Sequence, residues 1–300
     1  MSGFSAAWLG LREGADHAAR SGELSADTGR RLAEHAGSVS SRHPLRIVDL
    51  ATGTGSNPRF LASHLPEPQQ WTLLDADAQL LTAIPVRMAA WASRHGLACV
   101  HTADGVHITS ASRDLRLNPR RADLSRFPIA ALGERPDLVT SSALLDLVSA
   151  VWLASLADAC ASIHATVLFA LTYDGRTTMS HGHPDDVLVL ELVNLHQKTD
   201  KGFGPALGPD AAEAAAVEFA RVGYEVRRER SDWTIGPHQR SLQDELIAGW
   251  ASAACEIRPE ETARIRRWEE DRREAAATIG LVVTVGHEDL AAWPHGIPLF

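Results

Sequence analysis

The stretch from Arg46 to Leu61, Arg-Ile-Val-Asp-Leu-Ala-Thr-Gly-Thr-Gly-Ser-Asn-Pro-Arg-Phe-Leu, leaves few options for the fold. Ile47, Val48 and Leu50 make a short apolar run suited to a strand covered on both faces. Gly53 and Gly55 permit backbone angles that a side chain opposes. Ser56 or Asn57 is expected to cap the helix that follows, with Pro58 in its first turn. A buried strand, a glycine turn and a helix start place a ligand crevice at the carboxyl edge of an open α/β sheet.

Two kinds of nucleotide site use such a turn. A dinucleotide fingerprint requires a third glycine at the helix start, and Arg59 or Phe60 stands there instead. The other kind has an acid at the strand end followed by Gly-x-Gly-x-Gly. Asp49-Leu-Ala51-Thr52-Gly53-Thr-Gly55 follows that pattern with alanine in the first glycine slot. It resembles the first motif of class I S-adenosylmethionine-dependent methyltransferases. Their donor has an ammonium and a sulfonium but no phosphate, so an acid at Asp49 makes physical sense. A second element agrees. Trp71 to Leu74 read as a strand ending in Asp75-Ala76-Asp77, where Asp75 is the candidate for the two ribose hydroxyls and Asp77 the helix cap. That element resembles the ribose-binding acidic motif of the same family. The resemblance also implies that Asp123, flanked by Leu124, meets the adenine amino group, with Asp104 as its rival. It puts Ser141, at the end of the strand Asp137 to Ser142, beside the reactive methyl. Asp49, Ala51, Thr52, Gly53, Gly55, Asp75, Ala76, Asp123, Leu124 and Ser141 are therefore the expected donor contacts, and S-adenosyl-L-methionine the expected cofactor. The whole chain, including Trp8 through Arg20 and Val193 to Gly208, also resembles bacterial members of this family, a likeness that supplies no substrate.

The fold implied is α/β: a Rossmann-like seven-stranded, mostly parallel sheet with helices on both faces, plus N-terminal helices and helical insertions forming a cap. The cap is expected over residues 1–43. The methyltransferase domain spans 44–300, with insertions at about 177–209 and 241–277. Helices are expected from about Ser5 to Arg20 and from Ser25 to His35. Arg12, Asp16 and Arg20 recur at a spacing of four, so they share one helix face, which reads either as a solvated ion-paired face or as a source of arginine for a substrate carboxylate. Between Gly96 and Pro119 the sequence is irregular, with a hairpin expected about Asp104-Gly105. The fifth strand is read as Thr166 to Leu171, an edge strand as Tyr224 to Thr234, and the last as Leu281 to Gly286.

Acceptor chemistry is less legible. The segment after the fourth strand is Ser-Ser-Ala-Leu-Leu-Asp146, lacking the Asn/Asp-Pro-Pro-Tyr/Phe element that family enzymes acting on nucleobase amino groups often carry. Asp146, Tyr173 and His196 are the catalytic candidates, with capping of the next helix as the plain alternative for Asp146. Arg12, Arg20, Asp174, Arg176 and Asn194 are the candidate substrate contacts, with Lys201 nearby. The acceptor is expected to be a small molecule methylated on a carboxylate or hydroxyl. A protein methyltransferase and a silent donor-binding regulator are the alternatives, and a Rossmann oxidoreductase ranks behind them.

Bulk properties narrow the partners. The formal net charge is -9 over 300 residues, which argues against a uniform nucleic-acid surface. No apolar run reaches membrane-spanning length, so a cytoplasmic protein is expected, and a homodimer is allowed. Cys99, Cys160 and Cys255 show no paired spacing, and His181-Gly-His183 lacks a third ligand at recognisable spacing, so no metal is expected.

Overall fold

A computed structural model describes residues 4–38, 43–126 and 135–295. Helices α1 (Ala6–Ala19) and α2 (Gly22–Ser38) precede the first strand, and Ser5 caps α1 by accepting the Trp8 N–H. The chain continues as β1 (Leu45–Leu50), α3 (Ser56–Leu61), β2 (Gln69–Asp75), α4 (Ala78–Arg94), β3 (Ala98–Thr102), β4 (Gly105–Ser110), β5 (Arg113–Arg121), β6 (Leu138–Ser142), α5 (Ala150–Ile163) and β7 (Thr166–Met179). It ends with α6 (Asp186–Gln197), α7 (Ala211–Arg221), β8 (Tyr224–Arg230), β9 (Trp233–Ile235), α8 (Arg240–Ile257), α9 (Thr262–Thr278) and β10 (Val283–Pro294).

One sheet runs β3-β4-β5-β2-β1-β6-β7-β10-β8, with β9 paired to β10. β5, β2, β1, β6 and β7 are mutually parallel, and β10 is antiparallel to β7 and β8. This is the Rossmann-like α/β fold expected, with the seven core strands augmented by the β3–β4 hairpin and the short β9. Alternation along β1 serves both faces. Val48 and Leu50 pack with Leu153, Leu156 and Phe219 from α5 and α7. Ile47 packs with Leu24, Leu61, Ile84 and Met88 from α2, α3 and α4. A third core joins α6, α8 and α9 to the far ends of β7 and β10. Among the described residues no helix is long and apolar enough to cross a membrane.

Four strand expectations change. The third core strand is β5, in the stretch read as irregular. Its buried Leu115 and Leu117 alternate with charged or polar neighbours, and Pro119 sits past the last β4 pairing, where no partner needs its missing N–H. The fifth and last strands are longer than expected, at Thr166–Met179 and Val283–Pro294. Polar residues at the centre of β10 hide its length, because His287 and Asp289 are buried and β10 shifts register around Gly286 and again before Leu290. The edge segment Tyr224 to Thr234 divides into β8 and β9.

Candidate functional site

Strand register brings the predicted acids to one edge. Asp49 lies level with Leu73 and Thr140, one residue short of the tips, and Asp75 ends β2. Beyond the tips the backbone is strained. Ala51 after β1, Ala143 after β6 and Leu171 in β7 adopt φ of 53°, 53° and 55° without being glycine. Each left-handed non-glycine residue costs on the order of 1 kcal/mol, and such residues cluster where a site over-determines the backbone. Ala51 therefore follows the glycine pattern in conformation although not in residue type.

Asp49 is fully buried. Its Oδ1 accepts from Asn57 Nδ2 at 2.6 Å, and its Oδ2 has no hydrogen-bond partner. Burial raises its carboxyl to about 6, although the neighbouring Thr52 hydroxyl, Asn57 and Arg20 pull the other way. Asn57 also donates to Thr140 Oγ1 at 3.1 Å and accepts from Arg20 Nη1 at 2.6 Å. Neither expected side-chain cap of α3 forms: the N-cap is Gly55, Asn57 serves Asp49, and Ser56 Oγ meets His17 Nε2 at 3.0 Å. Thr54 Oγ1 and Ser141 Oγ are buried without partners in the same neighbourhood. Asp75 Oδ2 accepts the Gly53 N–H at 2.8 Å and Oδ1 the Asp77 N–H at 2.9 Å, so it shapes the turn while each oxygen retains a further lone pair. Thr52 is held by its N–H on the Leu74 carbonyl at 2.9 Å. Asp77 caps α4 as expected.

Helix α1 lies directly on the turn. A Cβ on Gly53 would come within 2.9 Å of Leu9 Cδ1. Glu13 grips Arg59 through two hydrogen bonds of 2.7 and 2.9 Å, a contact that sequence reasoning missed. Arg20 departs from its expected role. It is buried, bonded to Asn57 through Nη1 and packed 4.1 Å over the Phe60 ring, so it braces the glycine turn, while its Nε and Nη2 have no partner.

Adenine-side placement is mixed. Asp123 follows β5 directly, and the neighbouring Ala122 N–H bonds the Asp75 carbonyl at 2.9 Å. Asp123 is exposed, and its Oδ1 accepts from Ser125 N at 3.0 Å and Ser125 Oγ at 2.6 Å, which closes a turn. Leu124 is buried and its carbonyl accepts from Trp152 Nε1. Asp104 belongs to a separate cavity of about 400 Å³ with Gln70, His107, Arg116 and Asn118.

A second cluster lies at the other side of β6. Asp146 is 6% exposed with Oδ1 unpartnered. Burial lifts its carboxyl to about 6 against the pull of Arg12 and Lys201. Ser149, not Asp146, caps α5. Arg12 Nε bonds both Asp16 oxygens at 3.1 and 3.0 Å, and its guanidinium sits 4.9 Å from the Trp233 ring centroid. Tyr173 Oη donates to Asn194 Oδ1 at 2.7 Å, and Asn194 Nδ2 donates to the Gly175 carbonyl. Burial pushes the Tyr173 phenol up to about 12, so it stays protonated at neutral pH.

Three other acceptor-side candidates have different partners. Asp174 and Asp232 both close on Arg176, the latter at 2.7 and 3.1 Å, which makes an ion cluster of its own. His196 lies between Glu256 at 3.1 Å and Lys201 at 3.3 Å. His183 faces Asp271. In return the fold supplies His287, which the sequence reading did not single out. It is 5% exposed, with its ring 5.0 Å from Trp233 and 6.1 Å from Tyr173. Burial, aided by Arg12, holds it down at about 3. The signal for it was faint: a Gly-His-Glu-Asp run interrupting an apolar strand.

No family model matches the sequence, and no curated protein matches it. Solved structures resemble its fold. A SAM-dependent methyltransferase from Thiobacillus denitrificans, in complex with S-adenosyl-L-homocysteine, is 12% identical, with 97% of this chain and 99% of that one covered and a TM-score of 0.42. The YcgJ protein of Bacillus subtilis is 11% identical over 89% of this chain and 99% of that one, at 0.43. The cyclopropane synthase MmaA2 of Mycobacterium tuberculosis is 12% identical over 87% and 83%, at 0.39. The fold itself rests on the strand order: five parallel strands opening on a glycine turn, closed by an antiparallel β10.

Proposed function

We propose that the chain is an S-adenosylmethionine-dependent methyltransferase acting on the oxygen of a small acceptor. The observation that carries this reading is the set of buried polar atoms without partners at adjacent strand tips: Asp49 Oδ2, Thr54 Oγ1 and Ser141 Oγ. Buried polar groups are nearly always paired, so a cluster of exceptions beside a strained glycine turn points to a ligand. The atoms suit this donor. Asp49 would face its ammonium, Asp75 has lone pairs left for ribose hydroxyls, and Gly53 and Gly55 present bare backbone on either side of Thr54. Asp123 and Leu124 flank the adenine side. The donor brings an already activated methyl, so the protein's work is to orient the acceptor and exclude water. Leu9 and the Glu13–Arg59 grip, which cover the turn, serve the second task. Helices α1 and α2 act as the cap, and the segments around α6 and α8–α9 complete the acceptor side.

Calorimetry with S-adenosylhomocysteine and with a nicotinamide dinucleotide tests the donor. Binding of the first alone is expected; binding of the second alone overturns the reading. Methyl-labelled donor incubated with protein and cell extract then separates the activities. Label in a small product is expected, label in macromolecules favours protein methylation, and donor binding without transfer favours a regulator.

A further inference from the structure

The acceptor side carries its own chemistry, and it selects among acceptors. His287 Nδ1 lies 3.0 Å from the Val285 carbonyl, a contact that requires the ring proton on that nitrogen and leaves the lone pair on Nε2. The imidazole is fixed from behind as well. Its backbone N–H donates to Asp232 Oδ1 at 3.1 Å, and Asp232 is gripped by Arg176. At Gly286 a Cβ would stand 2.2 Å from Asp174 Oδ1, so the ion cluster packs hard against the bulge that turns His287. Arg12 reaches the same aromatic ring from α1. Its Nε is occupied by Asp16, and among the described residues no acceptor holds its two terminal nitrogens. Its side chain is 11% exposed, so a carboxylate meeting that fork would be largely screened from water. A buried, unpartnered Trp233 Nε1 adds a further donor.

Resting on the donor reading above, we propose that the acceptor is a small hydroxy acid whose carboxylate docks on Arg12 and whose hydroxyl hydrogen-bonds to His287 Nε2. A bare lone pair repels a carboxylate oxygen and attracts an O–H, so the two groups sort the two ends of the acceptor. The methylated atom is then the hydroxyl oxygen. That oxygen bonds the methyl carbon as the carbon–sulfur bond breaks, the donor leaves as a neutral thioether, and the hydroxyl proton passes to Nε2. Burial first, and then the positive charge of Arg12, oppose protonation of His287 in the free protein, and a bound carboxylate offsets the second of these.

Two independent readouts test this. In the free protein, nitrogen-15 shifts should give His287 a protonated Nδ1 and a bare Nε2; the reverse tautomer overturns the assignment. Next, the small-molecule filtrate of a bacterial lysate is incubated with protein and methyl-labelled S-adenosylmethionine. An ether product retaining its carboxylate should bind an anion exchanger and survive mild base. An ester would lose that charge and release labelled methanol in base, and an N-methylated amino acid would not be retained as an anion; either overturns the proposal, as does the absence of transfer by protein that binds S-adenosylhomocysteine. Protein that fails to bind S-adenosylhomocysteine defeats the donor reading instead. H287N and H287Q should each lower transfer at least about a hundredfold, the scale of a lost proton acceptor, with S-adenosylhomocysteine affinity within about twofold. Unchanged transfer in either variant removes His287 from the reaction.

Discussion

The two sides of β6 solve opposite problems. On the β1–β2 side polar atoms are left unsatisfied: Asp49 Oδ2, Thr54 Oγ1 and Ser141 Oγ are buried without partners, beside the left-handed Gly53 and Gly55. On the β7–β10 side, the exposed charged groups close on each other, as in Arg176 with Asp174 and Asp232 or His196 with Glu256, while the buried Asp146 Oδ1 and Trp233 Nε1 stay open. The first side is built mostly from two consecutive strand–turn–helix units, with Ser141 added from β6; the second is assembled from α1, β7, α6, β9 and β10. Local motifs can specify a ligand pocket, whereas an acceptor pocket made of distant pieces depends on the fold.

The largest effect should fall on Asp75. Replacing it with alanine removes the carboxylate that holds the Gly53 and Asp77 N–H groups and would hold ribose, so S-adenosylhomocysteine affinity should drop about a hundredfold, or about 3 kcal/mol. Asp146→Asn should leave that affinity within about twofold. Equal losses in the two variants, measured by calorimetry, would erase the contrast between the sides.

Asp49 sharpens the contrast through pH. Its folded carboxyl is raised to about 6 from an ordinary value of 3.8, so holding it ionised costs stability at neutral pH. The sign follows: the protonated form contributes stability that is full below the unfolded value and is lost as pH rises through about 6. Asp49→Asn should therefore raise stability by about 1–3 kcal/mol at pH 8 and by little at pH 4, read from thermal melts. The same variant should weaken binding of the cationic donor and abolish its pH dependence, which in the wild type is a rise in affinity as pH increases toward 6 and a plateau above. A destabilised Asp49→Asn at pH 8 would make the residue an anchor rather than a ligand group.

Arg176→Gln tests the other side. The Arg176 side chain is 41% exposed and paired, so about 1 kcal/mol of stability should be lost in denaturant titration, with donor affinity unchanged. A loss of donor affinity would show that the ion cluster is not confined to the acceptor side. The smallest effect belongs to Ala51→Gly. It removes the cost of a Cβ at φ 53° and adds freedom to the unfolded chain, and these oppose each other within about 1 kcal/mol.

The first two strand–turn–helix units were legible because their signals are contiguous. Asp49, Gly53, Gly55, Asp75 and Asp77 lie within two strand–turn–helix units, where residue order and spatial order agree. Even there, Asn57 read as a helix cap and proved to be the partner of Asp49, because a buried acid draws the nearest amide. β5 was missed because only Leu115 and Leu117 mark its inner face before Pro119 breaks the apolar alternation there, with Arg116 and Asn118 on the outer face. Arg176 and Asp174 carried charge in what proved to be the extension of β7, but only the fold brings Asp232 to neutralise it. His287 was hidden for the reverse reason: its neighbours Gly286 and Asp289 serve a bulge and a buried staple, the latter to Leu171 N–H and Ser21 N–H, which no local pattern announces.

Leu9 and Arg12 are one helical turn apart on α1, and they touch the glycine turn and the Trp233 ring respectively. A rigid rod gripping two sites makes them thermodynamic partners: whatever one occupant gains by settling the rod, the other gains equally. Donor and acceptor affinities should therefore rise together, and shortening the chain to Arg20 should cost both at a stroke.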